Sequence, residues 1–196
     1  MLGSVVARYF REQGADVRTT DERGPLSLIL WASSHDLTVN CIPPASISLA
    51  MLPVLLCYNN YRVIQPSTDA INEQTPYAAA KRKGDHPDAV IIRAGLVDLR
   101  AQHEIAYTNW LCNPLTPLEW AQVAWTLRDA KPGVYEYGRE PLDRYEVSRM
   151  VRQLWHLPPP KPARAPEPNN RVLKSRHNFP TLDVALQEYK AWLDQS

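Results

Sequence analysis

Residues 61–81 read YRVIQPSTDAINEQTPYAAAK, and this stretch decides the fold prediction. An apolar run ends in the hydroxyl pair Ser67 and Thr68, a polar loop follows, and a helix opens at Thr75-Pro76. The apolar, β-branched run 89–92 then predicts a buried parallel strand. The order of strand, helix and strand indicates an α/β fold.

Tyr77 and Lys81 lie four residues apart in the predicted helix, so their side chains share one face. A phenol titrates near about 10, and a cation one turn away favours its anionic form. Tyr77 could therefore exchange protons near working pH, with Thr68 at the strand end bonding the same substrate oxygen. The alternative interpretation, and the commoner origin of this spacing, is a solvated surface pair.

The Ser-Thr-Asp strand end, the Pro-Tyr-x-x-x-Lys helix and the strand segment 89–97 together resemble the extended short-chain dehydrogenase/reductases. Within that family the likeness is greatest to the dTDP-4-dehydrorhamnose reductase and sugar-nucleotide epimerase branch. The resemblance implies a Rossmann-like parallel sheet with flanking helices and the catalytic set Thr68, Tyr77 and Lys81. It also implies hydride transfer from NAD or NADP to a nucleotide-linked keto-sugar, with Tyr77 as proton donor and Lys81 on the nicotinamide ribose.

Four residues are implied in cofactor binding: Gly3, Asp21, Asn40 and Lys81. Gly3 matches only the end of the family's G-x-x-G-x-x-G motif, and the first strand and first two glycines have no counterpart in the sequence. The resemblance therefore predicts an N-terminally truncated sheet that binds NAD(P)H weakly or not at all. Two explanations for the missing strand and glycines stay open: the true gene begins upstream of Met1, or the chain is a degenerate or repurposed relative.

Asp21 occupies the position of the family's acidic residue on the adenosine ribose, which favours NAD. Arg18 and Arg23 lie close enough in sequence to receive a 2′-phosphate, so NADP stays open as well. A solvated turn is the alternative interpretation of Asp21.

The resemblance also assigns three residues to the substrate side: Ser67, Arg93 and Gly95. It divides the chain into a truncated NAD(P)-binding part, 1–100, and a small substrate-side lobe, 101–196. That lobe includes a proline-rich arm, 158–168, and a final helix.

The remaining elements follow from periodicity and end signals. Helices are predicted over 2–13, 44–59 and 181–193, and from Thr116 and Asp143 onwards. Strands are predicted over 15–21, 36–42 and 133–137, and the segment 100–114 is predicted to be irregular. Thr116 and Glu119 form a capping-box pattern.

The composition of the 196 residues limits the kinds of partner that can be expected. Lys and Arg number 22 against 21 Asp and Glu, so the net charge of +1 gives no reason to expect nucleic acid or an anionic membrane. The three cysteines read as reduced thiols, and the histidines show no metal-ligand spacing. No apolar run is long enough to span a bilayer. We expect a cytoplasmic protein that binds a nucleotide sugar, with a homodimer compatible with the sequence.

A second function belongs to a different class. A non-catalytic sugar-nucleotide-binding or regulatory subunit could keep this scaffold after losing the glycine motif. The regulatory subunit of methionine adenosyltransferase resembles the same reductases, which shows that the scaffold serves such a role.

Overall fold

The structure is a computed structural model that describes residues 2–19, 36–41, 56–57, 62–97, 104–174 and 178–195. The chain forms two compact units. The first comprises Met1–Arg93 and Ala121–Tyr135, and the second comprises Ala94–Trp120 and Glu136–Ser196. The domain boundary predicted after residue 100 falls within 98–103, outside the described residues.

Five helices and nine strands have both of their ends within these ranges. The helices are α1 (Leu2–Glu12), α2 (Pro76–Gly84), α3 (Pro117–Thr126), α4 (Arg144–Leu154) and α5 (Leu182–Asp194). The strands are β1 (Thr38–Val39), β2 (Val63–Ser67), β3 (Val90–Arg93), β4 (Ile105–Tyr107), β5 (Trp110–Cys112), β6 (Gly133–Glu136), β7 (Leu142–Asp143), β8 (Lys161–Ala163) and β9 (Asn169–Asn170). None of the helices in the described ranges is long and apolar enough to cross a membrane.

The first unit is built on a sheet with strand order β1-β2-β3-β6. β1 pairs with β2 and β2 with β3, both in parallel, and Ile64 stands opposite Val90. All five residues of β2 and the first three of β3 are buried, as expected for strands covered on both faces. The predicted α/β fold with a Rossmann-like parallel sheet is confirmed.

Helix α1 follows the prediction for 2–13 closely. Val5, Val6 and Phe10 form its buried face, and the Phe10 ring meets the edge of Trp125 at 5.1 Å between centroids. Gly14, with φ of +86°, ends the helix in the left-handed conformation that favours glycine.

The strand predicted over 15–21 is wrong for 15–19, which are irregular. The guanidinium of Arg11 donates to the Val17 carbonyl at 3.0 Å, so this backbone is tied to α1 rather than to a neighbouring strand. Asp21 lies outside the described residues. So does most of the helix predicted over 44–59, of which Leu56 and Cys57 are helical.

The second unit contains two small sheets, β7-β5-β9 and β4-β8. The prediction of irregular structure over 100–114 is wrong for β4 and β5. β4 pairs in parallel with β8, which lies in the proline-rich arm and places Pro162 opposite Ala106. A two-stranded sheet accepts proline because each strand has one edge that needs no hydrogen bond.

Side-chain caps fix the starts of α3 and α4. The Glu119 carboxylate accepts from the Thr116 backbone N–H at 2.8 Å, and the Thr116 hydroxyl accepts from the Glu119 N–H at 3.2 Å. Asp143 caps α4 by accepting from the Glu146 N–H at 2.8 Å. The predicted capping box and both helix starts are confirmed.

Candidate active site

The predicted catalytic residues lie at the carboxyl edge of the parallel sheet in the first unit. Thr68 follows the last residue of β2, and α2 starts eight residues later. Residues at the carboxyl ends of parallel strands share one edge of a sheet, which is where open α/β folds bind ligands. Asn40 follows β1 and Arg93 ends β3 at the same edge.

Helix α2 begins where the sequence indicates. The Thr75 hydroxyl accepts from the Ala78 N–H at 3.1 Å, and Pro76 occupies the first turn, where its missing N–H costs nothing. This cap sets Tyr77 in the first turn and Lys81 one turn further on. The loop from Thr68 to Thr75 is therefore a short connection between the end of β2 and the start of α2.

Tyr77 and Lys81 lie on the same side of α2, as their spacing predicts. The Lys81 ammonium stands 5.9 Å from the centroid of the Tyr77 ring. Tyr77 is 52% exposed and Lys81 is 7% exposed, so the pair places a buried cation beneath an accessible phenol. Burial removes much of the water that would screen the charge of Lys81, which strengthens its effect on the neighbouring ring.

Lys81 is held by one hydrogen bond, from its ammonium to the Pro66 carbonyl at 2.9 Å. An ammonium has three N–H donors, and the other two have no hydrogen-bond partner among the described residues. Burial lowers the pKa of Lys81, while its electrostatic interactions with Asp85 and Cys41 raise it. A buried ammonium with donors to spare is suited to binding a ligand hydroxyl.

The Thr68 hydroxyl makes two local contacts. It accepts from the Ala70 N–H at 3.2 Å and donates to the Asp69 carboxylate at 3.2 Å. This turn fixes the hydroxyl at the end of β2, where Thr68 is 5% exposed. Its role toward a substrate oxygen stays a prediction.

Ser67 and Arg93 both contact Asp85, a residue that the sequence analysis did not assign to the site. The Ser67 hydroxyl donates to the Asp85 carboxylate at 3.0 Å, and the Arg93 guanidinium donates to the same oxygen at 3.3 Å. Burial raises the pKa of Asp85, while the hydrogen bonds from Ser67 and Arg93 lower it. The contacts with Asp85 give both residues a structural task besides the predicted substrate binding.

Of the residues implied in cofactor binding, Gly3 and Asn40 are described by the structure in addition to Lys81. A Cβ at Gly3 would lie 3.4 Å from the Cys41 Cβ, so the start of α1 lies close to the chain just after β1. Asn40 is buried, and its amide donates to the Gln65 side chain at 2.9 Å. Asp21 lies outside the described residues.

Gly95, which the resemblance assigned to the substrate side, belongs to the second unit. It is buried, and its carbonyl accepts from the Leu115 N–H at 2.9 Å. The remaining residues that the resemblance assigned to a site, apart from Asp21, are described in the first unit. No group of three or more His, Cys, Asp or Glu side chains that could hold a metal ion occurs in the described part of the chain.

Comparison with solved structures identifies this architecture. A dTDP-4-dehydrorhamnose reductase from Clostridium acetobutylicum superposes with a TM-score of 0.79, covering 98% of this chain and 96% of that one at 16% identity. The chain has the fold of the dTDP-4-dehydrorhamnose reductases. The Bacillus anthracis reductase, solved in complex with NADP, gives a TM-score of 0.78 at 11% identity, covering 97% and 95% of the two chains.

The same fold occurs in sugar-nucleotide epimerases. A UDP-N-acetylglucosamine 4-epimerase from Bacillus cereus gives a TM-score of 0.70 at 15% identity, covering 100% of this chain and 94% of that one. No protein-family model matches the sequence. No curated protein matches it either. The likeness is therefore one of fold, and it confirms the resemblance drawn from the sequence at that level.

Two features of the site escaped the sequence analysis. Asp85, four residues after Lys81, has no role in the sequence analysis, although an acidic residue one turn beyond a lysine is a recognisable charge pattern. The Pro66 carbonyl that holds Lys81 leaves no signal in the sequence, because any residue supplies a backbone carbonyl.

Proposed function

We propose that the chain is an NAD(P)-dependent reductase or epimerase that acts on a nucleotide-linked keto-sugar, with Tyr77 as proton donor. The observation that carries the proposal is the buried Lys81 ammonium beneath the exposed Tyr77 ring at the carboxyl edge of a parallel sheet. The fold supports it, because the reductases and epimerases named above share this architecture. One of them was solved in complex with NADP.

Lys81 has two tasks in this proposal. Its two remaining N–H donors bind the ribose hydroxyls next to the nicotinamide, since a buried ammonium gains most from polar partners. Its charge also stabilises the Tyr77 phenolate that forms when the proton leaves. Both tasks require the ammonium form, so activity should fall as pH rises through the pKa of Lys81, which burial sets below that of an ordinary lysine.

The described residues fit a dinucleotide at one further point. The start of α1 lies close to Cys41, and Gly3 keeps this approach free of a side chain. Backbone N–H groups at a helix N-terminus carry partial positive charge and bind phosphate oxygens. When bound, NAD(P)H supplies the hydride.

Tyr77 completes the reduction. As a hydride reaches the carbonyl carbon of the sugar, a C–H bond forms and the C=O π electrons move to oxygen. The Tyr77 hydroxyl gives its proton to that oxygen, and solvent restores the proton because the side chain is 52% exposed. Thr68, fixed at the end of β2, turns its O–H from Asp69 to the carbonyl oxygen and holds that oxygen toward Tyr77.

Replacing Lys81 with methionine should weaken NADPH binding roughly tenfold or more, because hydrogen bonds from a charged donor are lost. Fluorescence titration with NADPH and NADH measures this. The control is Lys83→Met, which removes an exposed lysine from the last turn of the same helix and should leave the affinity unchanged.

Consumption of NADPH in the presence of dTDP-4-dehydrorhamnose then tests turnover. The proposal expects turnover by the wild-type protein and its loss in Lys81→Met. Tight binding of the nucleotide sugar with no turnover would contradict the proposal and favour a non-catalytic sugar-nucleotide-binding subunit.

A further inference from the structure

Asp85 closes a ring of contacts around Lys81. Asp85 is the first residue after α2, and its backbone N–H donates to the Lys81 carbonyl at 3.1 Å. Its carboxylate accepts from Ser67, the last residue of β2. Pro66, directly before Ser67, accepts from the Lys81 ammonium. Lys81 is thus tied to β2 through its own side chain and, through Asp85, by a second route.

Arg93 extends this arrangement to the next strand. It ends β3, which pairs with β2 so that Ser67 stands opposite Arg93. Both side chains donate to the same oxygen of Asp85, Oδ2. The three side chains, Ser67, Asp85 and Arg93, form what we call the Asp85 cluster. The carboxylate therefore joins the ends of two strands to the C-terminal turn of α2.

The cluster is buried enough for its charges to matter. The Asp85 side chain is 10% exposed and that of Arg93 is 19% exposed. The second carboxylate oxygen of Asp85 is buried with no hydrogen-bond partner in the described part of the chain. A carboxylate in such a place is costly unless cations compensate it, and the cations that do so are Arg93 and Lys81.

The groups that face Lys81 are Asp85 from the end of α2, Cys41 from the chain after β1, and the ring of Tyr77. Burial raises the pKa of Cys41 to about 12, so this thiol is neutral at physiological pH. Asp85 is then the group that supplies negative charge to the ammonium. No ion pair joins Asp85 to Lys81 among the described residues, so the carboxylate acts on the ammonium without direct contact.

We propose that Asp85 is a positioning residue, which ties Ser67 and Arg93 to the end of α2 and so holds Lys81 at the carboxyl end of β2. Its negative charge favours the ammonium form of Lys81. Asp85 acts on the reaction only through Lys81. The catalytic consequence rests on the proposed function, whereas the effect on Lys81 itself does not.

The test measures the charge of Lys81 directly. Limiting acetic anhydride acylates neutral amines, and mass spectrometry of the Lys81 peptide over a range of pH gives the midpoint of its titration, with exposed Lys83 as internal reference. Asp85→Asn should lower this midpoint by about one pH unit, because an opposite charge near the ammonium is lost. Lys81 should then react about tenfold faster below the midpoint.

Three variants complete the design. Ser67→Ala removes the hydrogen bond to Asp85 but leaves every charge in place, so it should leave the titration midpoint of Lys81 close to the wild-type value. Asp85→Glu should restore most of the wild-type profile. Asp88→Asn removes a carboxylate that is 74% exposed, from the same connection, and should change nothing.

In the active protein, Asp85→Asn should move the alkaline limb of the kcat/KM profile to lower pH by the same amount, and Asp85→Glu should move it back. A purely structural role would lower stability without moving this limb. If the wild-type protein neither binds NADPH nor turns over, the proposed function fails, while the labelling of Lys81 still decides the inference.

Unchanged Lys81 titration in folded Asp85→Asn would overturn the proposal. Should Asp85→Asn not fold, Asp85→Ser takes its place, because serine is polar but uncharged, and a wild-type midpoint in that variant would overturn the proposal equally.

Discussion

Replacing Tyr77 with phenylalanine should lower kcat for reduction of a nucleotide-linked keto-sugar roughly 100- to 10,000-fold, the usual contribution of a positioned proton donor. The substitution keeps the ring above Lys81 and removes only the hydroxyl. Cofactor affinity should therefore change by less than about twofold, since no hydrogen bond from Lys81 is lost. Steady-state kinetics and fluorescence titration separate the two effects.

Tyr135→Phe is the matched control for Tyr77→Phe. Its hydroxyl donates to the Lys131 carbonyl at 2.7 Å on the surface of the same unit, away from the predicted catalytic residues in sequence. This control should keep wild-type kinetics. A Tyr77→Phe protein that turns over at the wild-type rate would remove Tyr77 from the reaction.

Replacing Arg139 with methionine should lower the free energy of unfolding by about 3–5 kcal/mol, the loss typical of breaking a buried ion pair from one side. Arg139 lies in the second unit, where its side chain is 2% exposed. It pairs with Glu119 and donates to the carbonyls of Pro114 and Pro180, each at 2.7 Å. Methionine would leave the Glu119 carboxylate buried without its cation and two carbonyls without their donor.

Urea unfolding measures the change. Arg149→Met is the control, because Arg149 pairs with Glu146 on the surface of α4, where both side chains are more than a third exposed. Such pairs contribute within about 1 kcal/mol. Equal losses in the two variants would show that burial adds nothing to the Arg139 pair.

The local features of this protein could be predicted because each leaves its own signal in the sequence. The buried strand β2 is an apolar run, and Thr75-Pro76 marks the start of α2. Together these place Tyr77 and Lys81 at the carboxyl edge of the sheet. The capping box of Thr116 and Glu119 is local in the same way.

What escaped prediction depends on contacts between distant residues. β4 is three residues long and forms only because β8, more than fifty residues later, offers an edge for pairing. The Asp85 cluster likewise depends on the register of β2 against β3, which the sequence of neither strand reveals. The prediction for 15–19 failed because periodicity alone does not tell a strand from an extended segment tied to the preceding helix.

The central claim is that hydride passes between a nicotinamide and a sugar carbon beside Tyr77 and Lys81. Incubation with dTDP-4-dehydrorhamnose and NADPH deuterated at the transferable position, followed by mass spectrometry of the sugar product, tests it most directly. The account predicts a single deuterium at the former carbonyl carbon with the wild-type protein and almost none with Tyr77→Phe in the same time. A wild-type protein that binds both compounds yet leaves the sugar free of deuterium would contradict it.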